Sequence, residues 1–229
     1  MDGTLLNTED IYTEVSSELL AKFGKGPMTW DVKINLQGRP GPEATQIMID
    51  HYQLPLTTEE FTQLTTEIQA DKWQKSKFLP GALELIEYLN TKEIPIALGT
   101  SSNSINFEKK TKHLQHGFKY FGEHIVTGDD PRIPKGRGKP HPDIWIVCLA
   151  TLNKTRKLQG LEEVLLEECL IFEDGIPGVV SGIAANSHVI WIPDVNALEV
   201  LNGKEHEIIG SNGEILESLI HFDKEKYNL

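Results

Sequence analysis

Apolar residues follow two different rhythms along this chain, and the change between them divides it. From residue 10 to residue 78 they recur at helical spacing. Ile11, Val15, Leu19, Leu20 and Phe23 predict a helix over residues 10–24, which Gly24 ends. Residues 29–36 read as a short second helix, and Ile47, Met48 and Tyr52 mark a third over residues 44–52. Thr57 with Glu60 three residues on has the form of a capping box and opens a fourth, running to about Lys75. Between the second and third lies the turn-forming stretch Gly38-Arg39-Pro40-Gly41-Pro42, a rigid loop.

After Leu79-Pro80-Gly81 the apolar positions gather into short unbroken runs: residues 94–99, 125–127, 169–172, 189–192 and, more weakly, 207–209. Such runs are expected of strands buried on both faces. Helical stretches at 82–90, 102–114, 142–152 and 177–185 separate them. Strand–helix alternation of this kind predicts a Rossmann-like parallel sheet flanked by helices. The expected organisation is an α/β core, residues 1–10 and 79–229, interrupted by an α-helical cap over residues 11–78. Two neighbouring linkers would then form a hinge between cap and core. The polar stretch 151–167 reads as a surface insertion.

A chain of 229 residues can bury a substantial core. Its formal net charge of −12 argues against nucleic-acid and acidic-membrane partners, while leaving room for a small phosphorylated substrate if a few cations are focused in a cleft. Cys148 and Cys169 both sit in apolar runs and read as core thiols. No apolar run approaches a membrane span and no leader is recognised, so a reducing, cytoplasmic setting and a monomer or weak oligomer are expected.

In an open parallel sheet, ligands sit beyond the carboxyl ends of the strands. Four polar stretches occupy such places. Asp2-Gly3-Thr4 is an ordinary turn when taken alone. Thr100-Ser101-Ser102 follows the run at 94–99; its hydroxyls could cap the next helix or bind an oxyanion. Lys139, between Gly138 and Pro140, is either a solvated loop lysine or a cation held fixed by a stiff backbone. Glu173-Asp174 directly follows a buried strand, where adjacent carboxylates repel unless a cation holds them; hard cations such as Mg²⁺ take oxygen ligands.

In this order the four stretches resemble the signature set of the haloacid-dehalogenase-like (HAD) hydrolases, and the helical stretch between the first two resembles that family's C1-type cap. Likeness to one phosphatase subgroup rests on residues 29–33, 46–50, 97–102, 128–130 and 172–174. The resemblance implies a phosphatase, a hydrolase of small phosphomonoesters (nucleotide-like or sugar phosphates), working through an aspartyl-phosphate with Mg²⁺. Asp2 would be the general acid/base and lend its carbonyl to the metal. Thr100 and Lys139 would hold the phosphoryl group. Ser101, Ser102 and Arg39 would contact substrate, and Glu173 and Asp174 would bind or orient the metal.

The family's motif places a nucleophilic Asp two residues before the acid/base Asp, which here falls just before Met1. The resemblance therefore implies that the 229 residues are a shortened record of a longer working protein, and that the sheet lacks its central strand. Asn7 stands where relatives often carry Asp. The alternatives are a non-catalytic HAD-like protein that binds metal and phosphate, and a sugar phosphomutase. The mutases carry a His near the start of the cap, where this chain has Tyr12.

Overall fold

The computed structural model describes all of residues 1–229. Helices α1 (Thr8–Lys22), α2 (Trp30–Lys33), α3 (Gly41–Tyr52) and α4 (Thr58–Gln69) form one helical layer with no strand among them. Their apolar stripes meet in a core of Leu19, Leu20, Met28, Val32, Met48, Ile49, Leu54 and Phe61. Thr57 accepts from the Glu60 amide at 3.2 Å while the Glu60 carboxylate accepts from the Thr57 amide at 2.8 Å, so the predicted capping box is formed. Helix α3 begins three residues earlier than the periodicity implies, because Pro42 is preorganised for the first helical turn. Helix α4 stops at Gln69, and the apolar residues beyond it continue only as a short 3₁₀ turn, Trp73–Lys75.

The remaining elements are α5 (Ala82–Thr91), β1 (Leu98–Gly99), α6 (Ser104–Thr111), α7 (Gln115–Phe118), β2 (Ile125–Val126), α8 (Asp143–Leu158), β3 (Leu170–Glu173), α9 (Ile176–Ala184), β4 (His188–Trp191), α10 (Val195–Leu201), α11 (Glu205–Ile209) and β5 (Gly213–Ile215). All strand pairings are parallel, but they fall into two separate pieces, β1–β2 and β3–β4–β5. Leu5, Phe78 and Ile96 pack against the apolar clusters of both pieces and join them. Residues 1–6 form a tight loop, in which the Leu5 and Leu6 amides both donate to the Met1 carbonyl.

Several expectations are corrected. Of the run 94–99 only Leu98–Gly99 pairs: unbroken apolarity reports burial, and Ile94 and Ile96 are packed without joining a ladder. The stretch 151–167 is not an insertion throughout. Helix α8 continues to Leu158, and Asn153 clamps the following loop by a two-way bond to the Val164 main chain. Residues 207–209 are helical, not a strand. The pair Ile208–Ile209 reads as β, yet Gly210 at φ 57° ends a one-turn helix that sets Ile209 against Val179, Val189 and Trp191; the fifth strand is Gly213–Ile215. Helix α10 has no counterpart in the sequence reading. Cys148 is buried but Cys169 only partly so.

The helical layer leaves and rejoins the core at one place. The Asn7 amide donates to the Lys77 carbonyl at 3.1 Å, the Lys77 amide donates to Asn7 Oδ1 at 2.8 Å, and Leu6 bridges Phe78. Asn7 thus fastens the two linkers side by side.

Leu20 is fully buried, whereas Leu158 at the end of α8 is 83 % exposed. Leu20→Ala is expected to lower the unfolding free energy by about 2–5 kcal/mol, and Leu158→Ala by less than about 0.5 kcal/mol. Urea titrations of the two variants measure the difference.

Candidate active site

A cleft of about 970 Å³ lies between the helical layer and the strand ends. Asp2, Thr100, Ser101, Ser102, Lys139, Glu173 and Asp174 line it from the core side, and Arg39 from the helical side. The turn after β1 brings up Thr100–Ser102, the loop before α8 brings Lys139, and the end of β3 brings Glu173 and Asp174.

The Asp2 carboxylate accepts three bonds: from Thr8 Oγ1 at 2.6 Å, Lys110 Nζ at 2.6 Å and Ser102 Oγ at 3.0 Å. Burial opposes its ionisation. The Lys110 ammonium, the amino terminus and the bonds from Lys110 and Thr8 outweigh that and bring its pKa down to about 2. Asp2 is thereby a fixed anion in this arrangement.

Thr100 is buried; its hydroxyl accepts from the Ser102 amide at 3.2 Å. The two serines expected to contact substrate are engaged elsewhere, Ser101 on the Gly38 carbonyl at 3.0 Å and Ser102 on Asp2. Ser101 thus ties the strand end to the helical layer. Arg39 donates to the Asn35 carbonyl at 2.6 Å, lies 3.6 Å from Glu43, and has a partly exposed side chain.

Lys139 is buried and paired with Glu173 at 2.5 Å, with its ammonium 4.8 Å above the Trp145 ring. Trp145 is held in turn by its indole N–H on Ser181 at 2.7 Å. A Cβ at position 178, in the first turn of α9, would overlap the Glu173 carboxylate, so only glycine lets that helix start so close. Gly3, at φ 67°, has the same relation to Asp174.

Three acids here each have a lysine from another segment: Asp2 with Lys110, Glu173 with Lys139, and Glu9 with Lys33 at 3.5 Å. Asp174 has none. Its carboxylate accepts only from Thr4 Oγ1, at 3.1 Å. Burial first, then the Glu9 and Glu173 carboxylates, push its pKa up to about 8. Burial likewise lifts Glu9 above the usual range, against the pull of Lys33.

That imbalance tests the expected metal site. No three His, Cys, Asp or Glu side chains stand together as a ready cluster. The Glu173 side chain, expected at the metal, faces Lys139 instead, and the Asp2 side chain, expected as the acid/base, faces Lys110. Asp174 is the buried carboxylate left without a counter-charge, so the residues fit a cation held by one carboxylate, main-chain oxygen and water. Mg²⁺ characteristically keeps several waters and takes one or two carboxylates.

Sequence reasoning missed Glu9, Lys33 and Lys110. A signal existed for the last: Phe107, Lys110, Thr111 and Leu114 fall at i, i+3, i+4 and i+7, placing a lysine on the buried stripe of α6 and its continuation.

Residues 1–192 match the family model for haloacid dehalogenase-like hydrolases. The chain is 53 % identical over 229 residues to the "probable pseudouridine-5'-phosphatase" of Saccharomyces cerevisiae, covering 100 % of this chain and 94 % of that protein. It is 31 % identical to (DL)-glycerol-3-phosphatase 2 of Arabidopsis thaliana, covering 100 % and 89 %. Its fold superposes on CbbY from Rhodobacter sphaeroides, solved with phosphate, at a TM-score of 0.71 and 22 % identity over 96 % of this chain and 92 % of that one. An α/β core with polar strand ends facing a helical layer defines the class, and the chain belongs to the haloacid dehalogenase-like hydrolase family.

Asp174 yields a pH signature. Its folded pKa, about 8, lies above the 3.8 of a free Asp, so the unfolded chain binds fewer protons between those values. Stability contributed at this position is therefore present below about pH 4 and is lost as pH rises towards 8. In EDTA, Asp174→Asn should abolish that part of the decline and be more stable than the parent at pH 8, measured by thermal unfolding across pH.

Proposed function

We propose that the chain is a Mg²⁺-dependent phosphatase acting on a small phosphomonoester, a nucleotide-like or sugar phosphate, by way of an aspartyl-phosphate. The observation that carries the reading is the meeting of Asp2, Thr100, Lys139 and Asp174 in one cleft. Phosphoryl transfer depends chiefly on positioning and on neutralising oxygen charge, and this cleft offers a buried ammonium, a buried hydroxyl and an acid of unmatched charge. The names of the two relatives, "probable pseudouridine-5'-phosphatase" and (DL)-glycerol-3-phosphatase 2, support a hydroxylated leaving group.

In this reading Lys139 and Thr100 hold the phosphoryl oxygens, with Lys139 exchanging part of its bond to Glu173 for the substrate. Asp2, an anion in the free cleft, relays the proton of a phosphomonoester monoanion to the leaving oxygen, then takes a proton from the hydrolytic water. Arg39 and the neighbouring helical residues contact the rest of the substrate; Ser101 and Ser102 act mainly by holding Gly38 and Asp2. Asp174 and the Asp2 carbonyl would hold Mg²⁺, with Glu173 orienting the site through Lys139. When bound, that ion neutralises charge on the phosphoryl group. Residues 11–78 act as a cap that closes over the substrate and excludes bulk water. The attacking carboxylate would be that of an Asp joined to the Met1 amino group.

Phosphate release from glycerol, ribose and pseudouridine monophosphates, with Mg²⁺, tests the reading on two polypeptides. One is the 229 residues alone; the other carries an apolar strand ending in Asp in front of Met1. The longer chain should turn over, and the shorter should be slower by several orders of magnitude, since a covalent nucleophile is lost. Asp174→Asn in the longer chain should abolish turnover, together with the rise in melting temperature that Mg²⁺ gives the parent. Equal rates at both lengths would refute the covalent route, and no release from either would refute the phosphatase.

A further inference from the structure

Trp145 is an aromatic residue whose place the proposed mechanism leaves unexplained. The buried stripe of α8 is Ile144, Cys148 and Thr151, at i, i+4 and i+7. Trp145 lies beside that stripe and is only half-buried. Packing of α8 on the sheet therefore does not by itself call for a large ring there.

The ring meets three things. Its face lies 4.8 Å from the Lys139 ammonium. Its edge is seated on the main chain of β1: a Cβ at Gly99, one residue before Thr100, would stand 2.9 Å from Trp145 Cζ3. Its indole N–H donates to the buried Ser181 hydroxyl at 2.7 Å, and Ser181 donates to the Gly178 carbonyl at 2.7 Å. Gly178 is the residue whose Cα abuts the Glu173 carboxylate. One indole thus backs both residues assigned to the phosphoryl group and is oriented by the helix packed on Glu173.

The donor count of Lys139 gives this contact a use. An ammonium has three N–H donors. Lys110 spends all three on protein oxygens, whereas Lys139 spends one, on Glu173 Oε1. A second carboxylate or a carbonyl beside Lys139 would take another donor and compete with a phosphoryl oxygen. An aromatic face attracts the charge through its quadrupole and leaves the donors available.

We infer that Trp145 is a positioning residue for phosphoryl binding: its ring keeps the Lys139 ammonium in place while N–H donors pass between Glu173 and a phosphoryl oxygen. This inference rests on the phosphatase reading for the ligand, but the hold of the ring on Lys139 stands on the contacts alone.

The test titrates inorganic phosphate, in Mg²⁺, into the 229-residue protein, followed by calorimetry and by tryptophan emission. Trp145→Leu removes the ring and should raise the Kd for phosphate about three- to thirtyfold, the range of a cation–π contact. Trp145→Phe keeps a ring of weaker attraction, so its Kd should fall between those of the parent and Trp145→Leu. The emission change that phosphate causes in the parent should vanish in Trp145→Phe, although Trp30, Trp73 and Trp191 remain. Parental affinity in Trp145→Leu, or an undiminished emission change in Trp145→Phe, would overturn the assignment. If Trp145→Leu does not fold, Trp145→Phe decides. If the parent binds no phosphate, the phosphate site of the phosphatase reading has failed, and the hold on Lys139 is judged by acetic anhydride labelling and mass spectrometry. Lys139 should then acetylate faster in the Trp145 variant than in the parent, and equal rates overturn the inference.

Discussion

Burying several acids together is the constraint on which the rest of this structure depends. Each carboxylate taken from water needs a counter-charge or strong donors in place, because desolvation disfavours the charged form. The chain meets this with three lysines, each from a different segment: Lys33 from α2, Lys110 from α6 and Lys139 from the loop before α8. Every pair therefore staples two parts of the fold. Lys33 bonds the Glu9 carbonyl at 3.1 Å and Thr13 Oγ1 at 2.7 Å, fixing α2 on α1. Lys139 fixes its loop on the end of β3. The electrostatics of the cleft and the assembly of the layers are one problem with one solution.

The fold class is legible in the sequence because periodicity reports which faces are buried, and burial changes character at Leu79. Strand extents are less legible. Ile94 and Ile96 are as apolar as Leu98, but pairing depends on what lies alongside, which no local pattern records. The same limit hides α11, where Ile208 and Ile209 have the composition of a strand and only Gly210 marks the stop.

At the cleft, the readable residues are those at strand ends: Asp2, Thr100, Glu173 and Asp174 stand where topology puts ligands. What the linear order conceals is pairing between distant segments. Lys110 is 108 positions from Asp2, and nothing in the stretch Lys109-Lys110 distinguishes the buried lysine from its solvated neighbour except its place on the helical stripe. Ser101 and Ser102 illustrate the converse. As hydroxyls after a strand they invite a substrate contact, yet each already has a protein partner. Their bonds to Gly38 and Asp2 make them part of the frame on which a ligand would rest.

The clasp formed by Asn7 and Lys77 has a consequence for how such a molecule can change. Because the chain leaves and returns side by side at this clasp, the 69 residues of 8–76 are joined covalently to the core at one place. Closing a loop whose ends are already neighbours depends only weakly on its length. A segment of another size or shape could be exchanged there with little penalty to the sheet. The molecule is modular at this point: its selectivity can drift by replacement of one contiguous block, while the Lys110–Asp2 and Lys139–Glu173 pairs lie outside it.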